Sequence, residues 1–196
     1  MAVEFFYAAL FALFTQNLIF TGGFGISEVI RIAGKPRDLL PIAFLVTLFT
    51  TLTAAACAEL DAISAVSSLN TAAHLVIYCL VLAFIYFIIT GAAMLFMKKE
   101  KKENVHRVGL AAVNTLVLSI PIISHRAAFT PASSVGLGVG AGIAFVLAVL
   151  IVSAGVEKLN ANRTIHQDFR GRPVLFIYIA LISLGLVGLS GSSLFV

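Results

Sequence analysis

The distribution of apolar residues divides the chain into six hydrophobic stretches separated by short polar segments. A helix needs about 20 consecutive apolar residues to cross a bilayer, and five of the six stretches approach or exceed that length. The sequence therefore predicts an all-α membrane protein with six transmembrane helices, forming one domain over residues 1–196. The predicted spans are residues 4–30, 39–58, 72–97, 108–123, 135–156 and 173–195.

The first span carries clear signs of an interruption. Gly22, Gly23 and Gly25 crowd into four positions, and Gln16 and Asn17 lie shortly before them. Glycine is about 1 kcal/mol worse than alanine inside a helix, and a helix in lipid has to satisfy its backbone groups internally. The first span is therefore predicted to be broken or to consist of half-helices.

The fourth span is short and resembles the interrupted part of the first. Residues 17–27 and residues 114–124 both begin with Asn and end with Ile-Ser, with a helix breaker between: the glycines in one and Pro121 in the other. Matching breakers in two halves indicate an inverted repeat with a site at its interface. The fourth span is therefore also predicted to be broken or to consist of half-helices, and the predicted repeats are about 1–97 and 108–196. Chance is the alternative, because apolar segments draw on few residue types.

Composition and charge agree with a membrane protein of fixed orientation. The chain is 60% hydrophobic and only 11% charged, far from the composition of soluble domains. Every basic residue except Arg126 falls in the segments that follow spans one, three and five. Cytoplasmic loops retain Lys and Arg, so both termini are predicted to lie outside the cytoplasm. The net charge of +4 needs no nucleic-acid partner. The basic residues in the segments after spans one, three and five are Arg31, Lys35, Arg37, Lys98, Lys99, Lys101, Lys102, Arg107, Lys158, Arg163, Arg170 and Arg172.

Small residues mark predicted helix contacts. Helices in lipid associate through close approach, so glycine stripes indicate interfaces within or between subunits. The cysteines, Cys57 and Cys79, lie in apolar segments without metal-ligand spacing and are predicted to be small buried hydrophobes. The glycine stripes are Gly136, Gly138, Gly140 and Gly142 in the fifth span, and Gly185, Gly188 and Gly191 in the sixth.

Polar side chains inside the spans are the candidate binding residues, because they are costly in lipid. The alternative is interhelical hydrogen bonding, or bonding to the same helix for Ser and Thr. A separate group at span ends is predicted to be a solvated outer rim, with a cation-attracting mouth or proton relay as the alternative. The candidate binding residues are Asn17, Gly22, Gly23, Gly25, Ser27, Asn114, Thr115 and Ser119, and the rim residues are Glu59, Asp61, His74, His125 and Arg126.

No catalytic arrangement is visible in the sequence. A Ser/His/Asp set in one compartment, a nucleotide-binding loop and metal ligands at a recognisable spacing are all missing from the pattern. The four histidines lie at span ends or in loops, which does not support heme ligation. The chain is predicted to have no catalytic residues of its own.

Several motifs together resemble the six-helix membrane subunits of the Rnf and Na+-translocating NADH:quinone oxidoreductase (Nqr) complexes. These motifs are residues 16–27, 51–61, 114–119, 156–171 and 188–191, which extend over nearly the whole chain. The resemblance implies two inverted three-helix repeats in a prokaryotic cytoplasmic membrane. It also implies a role as subunit or accessory of an ion-translocating electron-transport complex, with a termini-outside orientation like that of RnfA and NqrE.

One departure from the family pattern matters for cofactors. The resemblance implies a Cys in each half-helix, which helps to hold a [2Fe-2S] cluster shared between paired subunits. The matching positions here are Ser27 and Thr115, and a neutral hydroxyl is a far poorer iron ligand than a thiolate. The expectation is therefore a scaffold without the cluster and without another predicted cofactor or metal.

Three functions compete at this point. The chain is a subunit of an Rnf-type complex, a stand-alone inverted-repeat carrier or channel for a cation or small polar solute, or a purely structural membrane protein. Half-helix ends offer free backbone groups as ligands, which favours binding or transport over a purely structural role. The expected partners are the lipid bilayer and other Rnf-type subunits or, because the charge bias fixes one orientation, a parallel homodimer.

Overall fold

The computed structural model describes residues 1–15, 17–96 and 101–190, and within them every regular element is a helix. The elements are α1 (Ala2–Leu10), a π-helix (Phe11–Thr15), α2 (Leu18–Gly22), α3 (Ile26–Ala33), α4 (Pro36–Asp61), α5 (Ser64–Ser67), α6 (Thr71–Phe96), α7 (Lys101–Ala112), α8 (Thr115–Arg126), α9 (Pro131–Ala161), a 3-10 turn (Gln167–Phe169) and α10 (Arg172–Ser190).

Four segments of the described chain are long and apolar enough to cross a membrane. They are Asp38–Asp61, Thr71–Leu95, Glu103–Arg126 and Pro131–Ala161, and they correspond to predicted spans two to five. Predicted spans one and six correspond to shorter apolar helices, Ala2–Phe14 and Arg172–Gly188. The all-α membrane class is therefore confirmed. The end of the sixth predicted span, including Gly191, lies outside the described residues.

The fourth span differs from its prediction in the position of its break. Pro121 was expected to interrupt it, but α8 continues through Pro121 as regular helix, so that prediction is wrong. Proline is tolerated in transmembrane helices where neighbouring groups satisfy the freed backbone, and Pro121 is buried among other helices. The interruption instead falls at Val113 and Asn114, and the span extends to His125 and Arg126.

Helix α9 lies at the centre of the bundle, between α1 and α4. Residues two apart lie on nearly opposite faces of a helix, and the alternating glycines use both faces. A Cβ at Gly136 or Gly140 would collide with the backbone of α1, at Phe5 and Ala9. A Cβ at Gly138 would lie 2.9 Å from the Thr50 carbonyl oxygen of α4. This stripe is therefore an interface within the subunit.

The glycines of α10 have no comparable contact. A Cβ at Gly185 or Gly188 would meet nothing within 4 Å. Helices α6 and α10 also turn large apolar side chains outward, as expected for surfaces that face lipid or another membrane protein. These side chains include Leu80, Phe84 and Phe87 on α6 and Phe176, Leu181 and Leu184 on α10.

Candidate functional site

The first interruption begins at Asn17, which caps α2. Its side-chain oxygen accepts hydrogen bonds from the backbone N–H groups of Ile19 (3.2 Å) and Phe20 (3.4 Å). Asn is a preferred residue at this position because its side chain satisfies amides that have no partner within the helix. Asn17 is buried, so the polar side chain predicted to line a site is used to start a short helix.

Two glycines then turn the chain between α2 and α3. Gly23 and Gly25 have φ angles of +71° and +78°, a left-handed conformation that costs other residues roughly 1–2 kcal/mol. Gly22 ends α2, and a Cβ there would press on the ring of Phe24 at 2.6 Å. The glycine cluster therefore produces a tight turn inside the first span.

The second interruption, like the first, begins with an Asn that caps the following helix. Asn114 follows the end of α7 and caps α8, with its side-chain oxygen accepting a hydrogen bond from the N–H of Leu116 at 3.0 Å. Asn114 is only 2% exposed. Its amide nitrogen Nδ2 is buried and has no hydrogen-bond partner within the described part of the chain, which leaves this donor unused by those residues.

The two interruptions are in direct contact. The backbone N–H of Gly25 donates a hydrogen bond to the Thr115 hydroxyl at 2.8 Å, across 90 positions of sequence. A Cβ at Gly25 would lie 2.9 Å from Asn114 Oδ1 and 3.2 Å from the Leu116 Cβ. We call Gly25, Asn114 and Thr115 the junction. Glycine is required there by both backbone conformation and space.

The other predicted site residues are not part of the junction. Ser27 lines a cavity of about 650 Å³ together with Arg31 and Arg172. Ser119 is buried and donates its hydroxyl hydrogen bond to the Leu116 carbonyl of its own helix at 2.8 Å. Asn17 caps α2. The candidate residues therefore do not line one common cavity, and their role in binding stays a prediction.

Thr115 faces a second cavity, of about 320 Å³, whose walls are mostly apolar and include Cys79 and Tyr86. Cys79 is exposed on α6, so the prediction that it is buried is wrong. It faces outward because α6 packs against the bundle along one narrow face only. Cys57 is buried in α4, as predicted.

The donors near the interruptions do not fit an iron–sulfur cluster. Ser27 and Thr115 line different cavities, and the Thr115 hydroxyl already accepts the Gly25 N–H. Cys79 supplies a single thiol beside Thr115, while Cys57 is packed in the core. Such clusters are held by several thiolates, and the described residues here offer one thiol and two hydroxyls.

At one end of the bundle the structure brings together three of the residues that are predicted from the sequence to form a solvated rim. Asp61, His74 and His125 each offer a donor atom within 4.8 Å of the other two. His74 is 2% exposed and Tyr78, which donates to Asp61 at 2.6 Å, is 1% exposed. The rim interpretation is therefore wrong for His74. The i and i+4 spacing of His74 and Tyr78 on α6 was the available signal.

Basic residues meet at the opposite ends of the helices. Arg31 and Lys35, which follow the first span, line one cavity with Arg107, which follows the third. Arg107 pairs with Asp38 at 2.9 Å. Arg31 also lines the larger cavity with Arg172, which follows the fifth span. The described parts of the three basic segments therefore share one end of the bundle, as the charge pattern predicted, while Lys98 and Lys99 lie outside the described residues.

Known proteins provide an independent comparison. The family model described as "Rnf-Nqr subunit, membrane protein" matches residues 5–193. One relative, from the ion-translocating oxidoreductase complex of Rhodobacter capsulatus, is 23% identical over 189 residues, covering 96% of this chain and 97% of the relative. Another, from the proton-translocating ferredoxin:NAD(+) oxidoreductase complex of Clostridium ljungdahlii, is 30% identical over 82 residues, or 42% of each chain. A third, from the Na(+)-translocating NADH-quinone reductase of Marinobacter nauticus, is 32% identical over 85 residues, 43% of this chain and 42% of the relative.

Each of the three relatives is named as one subunit of its complex or enzyme. The chain therefore belongs to the Rnf-Nqr family of membrane subunits.

Proposed function

We propose that this chain is an integral membrane subunit of an ion-translocating electron-transport complex of the Rnf/Nqr type. The family match covers residues 5–193, and the relatives are named as subunits of such complexes. The observation that carries the proposal is the junction, where the Gly25 N–H donates to the Thr115 hydroxyl at 2.8 Å. A contact between two interrupted spans brings polar groups of both spans together inside the bundle.

We further propose that the chain crosses the membrane six times, as two inverted three-helix halves. Asn17 and Asn114 support this, because each caps a helix that starts inside an interrupted span. The grouping of basic residues at one bundle end supports a cytoplasmic position for that end. The termini would then lie outside the cytoplasm, in the cytoplasmic membrane of a prokaryote.

The proposed subunit does not hold a [2Fe-2S] cluster of its own. The resemblance implies thiols at the positions of Ser27 and Thr115, and the fact that these two hydroxyls line different cavities supports a chain without a cluster. Electron transfer by the complex would depend on cofactors held by other subunits. Within this chain the interruptions would instead offer backbone groups and polar side chains to an ion or to a neighbouring protein of the complex.

The partners of the chain would be lipid and other subunits of the complex. Outward apolar side chains on α6 and α10 give it extensive surface for both. The basic residues at one end fix a single orientation, so a homodimer of this chain would be parallel. An inverted pair would need a second protein with a different charge pattern.

Gentle purification from the native membrane tests the proposed role. The tagged chain is extracted in mild detergent, and the proteins that accompany it are identified by mass spectrometry, with an unrelated tagged membrane protein as the control. Flavoproteins and ferredoxin-like chains are expected to accompany it in fixed proportion. Recovery of the chain alone, or only as a dimer, would contradict the proposal.

Iron and acid-labile sulfide analysis tests the absence of the cluster. The protein is purified anaerobically and compared with a double variant carrying Ser27→Cys and Thr115→Cys, which restores the family thiols. The unmodified chain is expected to carry no stoichiometric iron. Stoichiometric iron and sulfide in it, together with the absorption bands of a [2Fe-2S] cluster, would show this part of the proposal to be wrong.

A stand-alone carrier is the second candidate, and one observation favours it. Asn114 Nδ2 is buried at the junction, and none of the residues that the structure describes is its hydrogen-bond partner. An unpaired buried amide is costly, by roughly 1–3 kcal/mol, and a small polar solute with an acceptor group would satisfy it. Recovery of the chain without other subunits, combined with solute uptake by vesicles containing only this chain, would favour the carrier.

A further inference from the structure

Three helix ends bring two imidazoles and one carboxylate together. Asp61 ends α4, His74 lies in the first turn of α6, and His125 lies in the last turn of α8. One donor atom from each lies within 4.8 Å of the others, and the two imidazole ring centres are 4.1 Å apart. Two histidines with a carboxylate are a common ligand set for Zn²⁺.

The hydrogen bonding of His74 fixes which nitrogen is free. His74 Nδ1 lies 3.1 Å from the Asn70 carbonyl oxygen, which can only accept, so Nδ1 carries the proton. In the neutral ring, Nε2 then presents its lone pair. A metal-binding histidine commonly donates its other N–H to a carbonyl in this manner.

The lone pair of His74 points at another acceptor. Nε2 lies 3.6 Å from Asp61 Oδ1, and both atoms are buried with no hydrogen-bond partner among the described residues. Two buried acceptors facing each other are unfavourable unless a proton or a metal ion lies between them. The separation exceeds the 2.7–3.2 Å of N–H···O hydrogen bonds. It is close to the roughly 3.3 Å between ligands that follows from zinc bond lengths of about 2.0 Å.

The second oxygen of Asp61 is held separately. Oδ2 accepts the Tyr78 hydroxyl at 2.6 Å and lies 3.2 Å from His125 Nδ1. These contacts orient the carboxylate and leave Oδ1 directed toward His74. Such outer contacts to ligating groups usually support metal affinity.

A cavity gives access to the cluster. It has a volume of about 310 Å³, and its walls include Asp61, Ser124 and His125. The hydroxyl of Ser124 is buried without a partner. The cavity leaves room for water to complete a four-coordinate site, and it provides a path for an ion to enter.

We propose that Asp61, His74 and His125 form a binding site for a divalent transition-metal ion, with Zn²⁺ as the expected occupant. The ion would connect the ends of α4, α6 and α8. The site lies apart from the junction and does not depend on the proposed role in electron transport. Neutral imidazole and carboxylate suit Zn²⁺ and its neighbours in the first transition series, whereas Mg²⁺ and Ca²⁺ prefer all-oxygen sites.

Equilibrium zinc binding to the purified full-length chain tests the site. The protein carries a tag without histidine, is stripped with EDTA, and is titrated with ZnCl₂ in detergent micelles at neutral pH. About one zinc ion per chain is expected. His74→Gln and Asp61→Asn are expected to weaken binding more than about tenfold, since loss of an outer contact alone costs about 10–100-fold in other metal sites.

Matched controls separate a lost ligand from a damaged protein. His166→Gln removes an exposed histidine whose Nδ1 also lies 3.2 Å from an aspartate, Asp168, and it should leave zinc binding unchanged. Both cysteines stay in every variant. Each variant is checked for an unchanged elution profile and circular dichroism spectrum without metal, and Co²⁺ is added to detect the visible bands of a four-coordinate site.

Two results would overturn the proposal. One is the absence of zinc binding and of Co²⁺ bands in the unmodified protein at micromolar metal. The other is zinc binding that persists in a folded His74→Gln variant. A rise in the thermal midpoint on adding zinc, present in the unmodified chain and in His166→Gln but lost in His74→Gln, would support it.

Discussion

Replacement of Gly25 by alanine measures how tightly the two interrupted spans are joined. Gly25 has a φ of +78°, and a Cβ there would lie 2.9 Å from Asn114 Oδ1 and 3.2 Å from the Leu116 Cβ. The left-handed backbone costs alanine roughly 1–2 kcal/mol. Forcing an extra methyl group into packed surroundings adds about 1–3 kcal/mol. Gly25→Ala is therefore expected to lower the free energy of unfolding by about 2–5 kcal/mol.

Gly23 and Gly34 provide the matched controls. Gly23 has a φ of +71° but nothing within 4 Å of its Cβ position, so Gly23→Ala should cost only the backbone part, roughly 1–2 kcal/mol. Gly34 has a φ of −90° and an equally open Cβ position, and alanine there should be close to neutral. The difference between Gly25→Ala and Gly23→Ala isolates the contact with α8.

The measurement is equilibrium unfolding in mixed micelles, followed by circular dichroism as the fraction of SDS increases. A double-mutant cycle with Asn114→Ala then identifies the colliding group. Removing the Asn114 side chain gives the new methyl group space, so the double variant should lose less stability than the sum of the single variants. Equal losses for Gly25→Ala and Gly23→Ala, together with strict additivity in the cycle, would refute a close contact between the interruptions.

Three further predictions concern the junction, the helix packing and the cysteines. Thr115→Val should cost about 1–3 kcal/mol because the Gly25 N–H loses its acceptor, whereas Thr115→Ser keeps the hydroxyl and most of the stability, as measured by the same unfolding assay. Gly138→Ala should destabilise the bundle by about 1–3 kcal/mol because the new Cβ would lie 2.9 Å from the Thr50 carbonyl oxygen, while Gly188→Ala, with an open position, should be nearly neutral. Under native conditions in detergent, a small membrane-permeant maleimide should label Cys79 before Cys57, because Cys79 is exposed on α6 and Cys57 is 1% exposed; labelling of Cys57 first, as read by mass spectrometry of the labelled peptides, would contradict the burial of Cys57 in the core.

Sequence patterns predicted the parts of the fold that depend on lipid. Predicted spans two, three and five agree with α4, α6 and α9 to within a few residues, because a bilayer demands long apolar runs. Gly22, Gly23 and Gly25 also marked the first interruption correctly, since glycine adopts the left-handed conformation of Gly23 and Gly25 without the steric cost that most other residues pay. The alternating glycines of α9 are a further signal in the sequence for the position of this helix. Their spacing places them on two opposite faces, which indicates a central helix with close neighbours on both sides.

Features that depend on contacts between helices could not be predicted from the sequence in the same way. Pro121 looks like a breaker in sequence, yet whether proline interrupts a buried helix depends on how its neighbours satisfy the backbone. The cluster of Asp61, His74 and His125 has no recognisable spacing, because its members are brought together by the ends of three different helices. A local motif cannot reveal a set of ligands that only the packing of α4, α6 and α8 assembles.

The hydroxyl of Thr115 has a structural role that does not depend on metal binding. The Thr115 hydroxyl accepts the Gly25 N–H at 2.8 Å, and a thiol in its place would be a much weaker acceptor. In an apolar bundle, an amide at a tight turn has few other partners, so the hydroxyl stabilises a contact that a cluster-binding thiol would support poorly. Thr115 therefore holds the two interruptions together directly, through a hydrogen bond that links residues 90 positions apart in the sequence.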